Sequence, residues 1–257
     1  MKALCDERKA ASRPPHSKNV DAMKSGSPSP QLILAVDTST PLLSLAIASG
    51  AELLISIADD STLPQAQKIF PLIHSILAGL NLQLEDIDAF AVNTGPGSFT
   101  GLRVGLASFK GMAATLEKPL LGISALDASA LAAQVFDLPI AVIQNASRGE
   151  MYCGLRQVSA DGSITQIGQD QVCQPESFLE RLQIEFEDAE IVFVGSGANH
   201  LSSTIAALNQ PWRVVEETDS LVNVIALHAG KMIQNGECQA AEAYYLKPPD
   251  AKIKLAK

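Results

Sequence analysis

No run of eighteen or more apolar residues occurs in the chain, so no segment reads as a membrane-spanning helix. Cysteine is sparse. Cys5, Cys153, Cys173 and Cys238 are far apart and form no C-x-x-C pair, which argues against a disulfide framework and fits a reduced compartment. The four histidines, His16, His74, His200 and His228, show neither H-x-x-x-H nor H-E-x-x-H spacing, so no metal site is expected. Positive charge is the scarcer sign: 19 Lys and Arg stand against 28 Asp and Glu, for a net charge of −9. Such a chain repels phosphate backbones, and no basic stripe reverses this locally, so any link to RNA is expected to run through another subunit. The first thirty residues lack the apolar stretch of a signal peptide, and Asp6, Glu7 and Asp21 count against a transit peptide. Residues 1–30 are expected to be a disordered extension ending in Ser25-Gly26-Ser27-Pro28-Ser29-Pro30, with Met23 as an alternative start. The protein is expected to be cytoplasmic.

What is present is apolar material. Hydrophobic residues make up 47% of the 257 and charged residues only 18%, which suffices for a sizeable core and leaves apolar surface for a partner to cover. Leu32-Ile33-Leu34-Ala35-Val36 is a continuous apolar run, as in a strand buried on both faces. After the turn Asp37-Thr38-Ser39-Thr40-Pro41, Leu43 to Ile47 alternates as a second strand, and Glu52 to Ile57 returns as a third. Ile69, Leu72, Ile73, Ile76, Leu77 and Leu80 share one face of a helix. Ala89 to Val92 is a further strand, followed by a helix from Gly101 to Leu116, a strand at Pro119–Ile123 and a helix from Ser124 to about Gln134. The opening pattern then recurs. Ile140 to Ile143 leads into Asn145-Ala146-Ser147-Arg148-Gly149-Glu150 and a strand from Met151 to Val158, with Asn145 where Asp37 stood. A strand at Ile191–Val194 and a helix at Leu221–Ile233 follow. The expected fold class is α/β: two duplicated domains of the actin/Hsp70/sugar-kinase (ASKHA) kind, each a mixed sheet with flanking helices. They are placed at 31–136 and 137–257, with the helix at 219–235 packing back on the first.

Gly95-Pro96-Gly97-Ser98-Phe99-Thr100-Gly101-Leu102-Arg103 is a strand-to-helix loop. Its glycines permit a sharp turn and a close approach, and Ser98 or Thr100 can cap the helix. The loop is either a tight structural turn or an anion site at a helix start. It is neither a Walker loop nor G-x-G-x-x-G. In the helix after it, Leu102, Leu106, Phe109, Ala113 and Leu116 form a core stripe. About 100° away Gly101, Gly105, Ser108 and Thr115 form a smooth one. Arg103 and Lys110 point to solvent. The smooth stripe, with Met112 beside it and Ile69 and Ile73 on the preceding helix, is expected to receive a helix of a partner. Asp37, Thr38 and Ser39 occupy the turn where nucleotide-binding members of the architecture hold phosphate and metal. Here that turn has no glycine, and its counterpart carries the uncharged Asn145, a poor metal ligand or general base. Gly195-Ser196-Gly197-Ala198 resembles the loop that holds adenosine in ATP-binding relatives. The competing reading is a small-molecule kinase or ATPase using Asp37 and the Gly95–Gly101 loop. No G-x-S-x-G elbow is present.

Ile33 to Thr40, Gly95 to Arg103, Gly105 to Gly111 and Pro119 to Leu126 together resemble the TsaB (YeaZ) family. The likeness is thinner at Arg148-Gly149-Glu150-Met151-Tyr152, Gly195 to Ala198, Tyr244-Tyr245-Leu246 and Asp250-Ala251. The resemblance implies a non-catalytic scaffold that pairs with its catalytic paralogue TsaD through the two helices of the N-terminal domain. TsaD transfers a threonylcarbamoyl group to the adenosine beside the anticodon of tRNA. TsaE would join the pair and TsaC would supply the adenylate. Homodimers would form in isolation, tRNA would be met only indirectly, and no cofactor would bind except a nucleotide at the interface shared with TsaD. The motif residues carried over are Asp37, Thr38, Ser39, Gly95, Gly97, Ser98, Thr100 and Arg103. Where family members commonly have His-Ser after an Arg, this chain has Pro64-Gln65-Ala66-Gln67. An old family label is glycoprotease, and no residue pattern here supports peptide hydrolysis.

Overall fold

Ten strands form two five-stranded mixed sheets in the computed structural model, which describes residues 31–146, 149–237 and 241–246. The expected N-terminal extension, Arg148 and Asp250-Ala251 lie outside the described residues. In the first half, β1 (Leu32–Asp37), β2 (Leu43–Ser49) and β3 (Glu52–Asp59) form an antiparallel meander. Helix α1 (Gln65–Gly79), β4 (Ala89–Gly95), α2 (Phe99–Leu116), β5 (Leu120–Ser124) and α3 (Ala125–Ala132) follow. The second half runs β6 (Pro139–Asn145), β7 (Met151–Val158), β8 (Ile164–Cys173), α4 (Pro175–Phe186), β9 (Ile191–Val194), α5 (Ser196–His200), α6 (Ser202–Ala207), β10 (Trp212–Val214) and α7 (Leu221–Gln234).

The sheet orders, β3-β2-β1-β4-β5 and β8-β7-β6-β9-β10, are one topology used twice. In each, the first three strands pair antiparallel and the last two join in parallel through helical crossovers. The duplication read from the recurring strand–turn–strand pattern is therefore structural.

Alternation along the central strands of the first sheet sorts side chains by size. Leu34, Val36, Leu45, Ile47, Phe90 and Val92 meet α1 and α2 on one face. Ile33, Ala35, Ala46, Ala48, Ala89 and Ala91 form the other, and their small volume lets α7 lie close with Val222, Ile225, Ala226 and Ala229. Helix α3, the last of the first half, instead packs Leu126, Ala130 and Ala133 on Ile140, Val142, Val158 and Val194 of the second sheet. Each half thus covers one face of the other's sheet. The described residues of both halves form one compact unit for that reason.

Arg156 of β7 adds a polar tie. It is 2% exposed and donates through Nη1 and Nη2 to both carboxylate oxygens of Asp170 on β8, each at 2.7 Å, and through Nε to Asp127 of α3. Tyr244 donates its hydroxyl to the same Asp170 at 3.1 Å, and burial beside that carboxylate pushes the phenol up to about 12.

Candidate functional site

Strands β1, β4 and β6 deliver Asp37, Gly95 and Asn145 to one edge, where the halves meet in a cleft of about 260 Å³. Its walls include Asp37, Ser39, Gly97, Gln144, Asn145 and Glu217. Among the described residues lining it there is no lysine or arginine. Burial raises the Asp37 carboxyl above its usual range, against the lowering effect of bonds from the Ser39 backbone N–H at 2.8 Å and from Asn93 Nδ2 at 3.0 Å. Burial also raises Glu217, and the charge of Asp37 adds to that rise. Ser129 donates to Glu217 Oε1 at 2.6 Å, and Gln144 Nε2 donates to Ser129 Oγ at 2.7 Å. Two carboxylates facing one cavity disfavour a polyanion such as a nucleotide phosphate.

The motif loop is filled by the chain's own backbone. Asp37 folds the turn by accepting from Ser39, and Asn93 bonds both Asp37 and Ser39 Oγ, the latter at 3.2 Å. Ser98 N–H donates to Ser39 O at 2.6 Å, and a Cβ on Gly97 would lie 2.6 Å from Ser39 Cβ. Ser98 is also the N-cap of α2, its Oγ accepting from Gly101 N at 3.2 Å. The loop therefore follows the tight-turn reading: the glycines admit the Thr38-Ser39 turn. Asn145, at the matching end of β6, takes Ser196 Oγ as acceptor for its backbone N–H at 3.1 Å.

The smooth stripe of α2 is not the outward face that its small side chains lead one to expect. Gly101 and Gly105 do not face outward: a Cβ on Gly101 would strike Thr38 O, and one on Gly105 would strike Thr38 Oγ1. Met112, Ile69 and Ile73 are buried in the core between the first sheet and α1–α2. Only Ser108, half-buried, and Thr115, exposed, remain accessible. The cause is the loop just described, which occupies the groove those glycines leave. Of the expected core stripe, Leu102, Leu106, Phe109 and Ala113 are buried, while Leu116, at the end of the helix, is only partly buried.

The face that does look outward lies one residue further round α2. Thr100, Arg103, Ala107, Gly111, Ala114 and Thr115 are exposed, and a Cβ on Gly111 would meet nothing within 4 Å. Against α1 it forms an open groove of about 420 Å³ between Ala66 and Phe70 on one side and Val104, Ala107 and Ser108 on the other. Phe70 is 53% exposed. The Arg103 guanidinium lies 3.7 Å over the Phe99 ring, whose centroid is 4.9 Å from that of Tyr245. Phe70 was legible as an aromatic off the Ile69–Ile73 stripe. Glu217 and Gln144 carried no signal, since only folding brings them to Asp37.

A twice-used five-stranded sheet, with the ends of β1, β4 and β6 meeting in one cleft, defines an α/β protein of the actin/Hsp70/sugar-kinase class. The family model described as TsaD, tRNA N6-adenosine threonylcarbamoyltransferase, matches residues 64–252. A Bacillus subtilis (strain 168) protein named tRNA threonylcarbamoyladenosine biosynthesis protein TsaB is 31% identical over 163 residues, which are 63% of this chain and 70% of that one. The Escherichia coli (strain K12) protein of the same name is 33% identical over 169 residues, 64% and 71% respectively. The solved structure of YeaZ from Pseudomonas aeruginosa superposes with a TM-score of 0.64 at 26% identity, covering 84% of this chain and 100% of that one. The chain belongs to the TsaB (YeaZ) family of tRNA threonylcarbamoyladenosine biosynthesis proteins.

Proposed function

We propose that this chain serves tRNA threonylcarbamoyladenosine synthesis as a non-catalytic subunit, and that it presents the outer face of α1 and α2 to a TsaD-type transferase. One observation carries the reading. The outward groove of Phe70, Val104, Ala107 and Ser108 pairs a half-exposed aromatic with small side chains, so a foreign helix can approach closely there. The cleft supports the non-catalytic part. The chain's own turn fills the motif loop, the described lining has no cation, and the second turn holds Asn145 where a metal-binding acid would stand. The acidic balance of the chain, −9, favours contact with tRNA through the partner rather than directly. Within this reading TsaE joins the pair, a nucleotide binds only where TsaD closes over it, and the location is cytoplasmic. No helix among the described residues is long and apolar enough to cross a membrane.

The test is co-purification of the full chain with TsaD from the same source. Wild type should form a complex larger than either protein alone. Phe70→Asp and Ala107→Arg should each weaken it by at least about tenfold, roughly the loss of one central contact, with unchanged thermal midpoints. Purified chain with magnesium-ATP should show no turnover. Turnover by the chain alone would establish the kinase or ATPase reading instead. A complex indifferent to both substitutions would place the interface elsewhere.

A further inference from the structure

Cys153 and Cys173 lie on neighbouring strands of the second sheet, both against α4, with their Sγ atoms 3.8 Å apart and in thiol–thiol contact. The pairing register sets Met151 opposite Cys173 and Cys153 opposite Gln171, so the two cysteines are diagonal neighbours on one face. Their surroundings differ. Cys153 is fully buried among Phe178, Ile143 and Phe193, whereas Cys173, the last residue of β8, is partly open to solvent. The hydrogen bond with Cys153 holds the Cys173 thiol below its ordinary value, and the guanidinium of Arg181 on α4 adds to the lowering, with partial burial and, more weakly, Glu150 opposing. The same bond, together with burial, pushes Cys153 far up.

We infer that Cys153 and Cys173 form a reversible oxidation site, at which a hydroperoxide converts the two thiols into a disulfide joining β7 to the end of β8. The division of labour follows from access. The Cys173 thiolate attacks one oxygen of the peroxide and the O–O bond breaks. For hydrogen peroxide the leaving hydroxide takes up a proton as water, and Cys173 becomes a sulfenic acid. Cys153 sulfur then attacks the Cys173 sulfur. The S–O bond breaks, and the departing hydroxide carries off the Cys153 proton as a second water. Two thiols and one peroxide thus give one disulfide and two waters. Closing from 3.8 Å to a bond of roughly 2.05 Å combines side-chain rotation with an inward movement of the β8 end, where Cys173 is the last residue of the strand. A thiol reductant reverses the reaction by exchange at the accessible Cys173 sulfur.

The experiment uses the full chain carrying Cys5→Ser and Cys238→Ser, so that only this pair reacts. After brief treatment with equimolar hydrogen peroxide, intact mass should fall by two hydrogen atoms. Maleimide labelling after denaturation should drop from two sites to none, and proteolysis should yield the Cys153 and Cys173 peptides linked. Dithiothreitol should restore both labels. Cys153→Ala should let a sulfenic-acid trap such as dimedone capture Cys173, while Cys173→Ala should leave Cys153 reduced over the same interval. Retention of both thiols, or oxidation of Cys173 to sulfinic acid with Cys153 still free in the parent chain, would overturn the inference.

Discussion

Gly105 and Gly111 sit on the same helix yet face opposite circumstances, and the contrast gives a test at single-residue scale. A methyl at Gly105 meets Thr38 Oγ1, itself buried with no hydrogen-bond partner, whereas one at Gly111 meets nothing. Gly105→Ala should therefore destabilise by about 1–3 kcal/mol through overpacking. Gly111→Ala should stabilise by about 0.5–1 kcal/mol through helix propensity alone. Denaturant melts of the two variants check both signs. Glu217 gives a second test. Its folded value is raised by burial and by Asp37, so its contribution to stability is fully present below the ordinary glutamate value of about 4.3 and is lost as pH rises through the raised folded value. Glu217→Gln keeps an acceptor for Ser129 but does not ionise. Its thermal midpoint should match wild type at low pH and exceed it at pH 7; a gap that closes with rising pH would reverse the assignment.

At the scale of elements, α1 and α2 pack against the sheet on one side and leave the other side open, the face proposed for TsaD. Ile69, Ile73, Ile76 and Leu77 of α1 join Leu106 and Phe109 of α2 in the core, while Phe70, Ala107 and Gly111 stay outside. Burial fixes the first set and leaves the second free to vary with a partner. Phe70→Asp should therefore cost little in isolated stability while breaking the proposed pairing, a split read by comparing melting with complex formation. Most elements were legible. The apolar runs Ile33 to Val36 and Ile140 to Ile143 announced strands covered on both faces, and the three- and four-residue spacing announced α1, α2 and α7. Strand β8 was not, because Ile164–Cys173 is polar on much of both faces and broken by Gly168. Helix α4 carries only a short signal, Phe178, Leu179 and Leu182 on one face among charged and polar residues. β10, at three residues, is too short to show a period.

For the molecule as a whole, the exchange of α3 and α7 between sheets makes Arg156 the polar centre of the second half and its seam. Arg156→Met leaves Asp170, 1% exposed in its side chain, without its cation, and should cost about 3–5 kcal/mol in denaturant unfolding. Adding Asp170→Leu removes the stranded charge and should recover much of the loss; no recovery would mean that packing, not charge, dominates there. By itself the sequence determined the opening of each half: the strand–turn–strand pattern of Ile33 to Ile47 repeats at Ile140 to Val158, and hydrophobic period is a local property that neighbouring residues suffice to write. It also determined that the second turn is uncharged at Asn145. Only the tertiary structure decided which stripe of α2 faces out, since a glycine is silent about its neighbours and its burial depends on the Thr38 turn arriving from more than sixty residues away. The approach of Asp37 to Glu217 and of Cys153 to Cys173 is of the same kind. Each is set by sheet register and chain crossing, which no local pattern encodes.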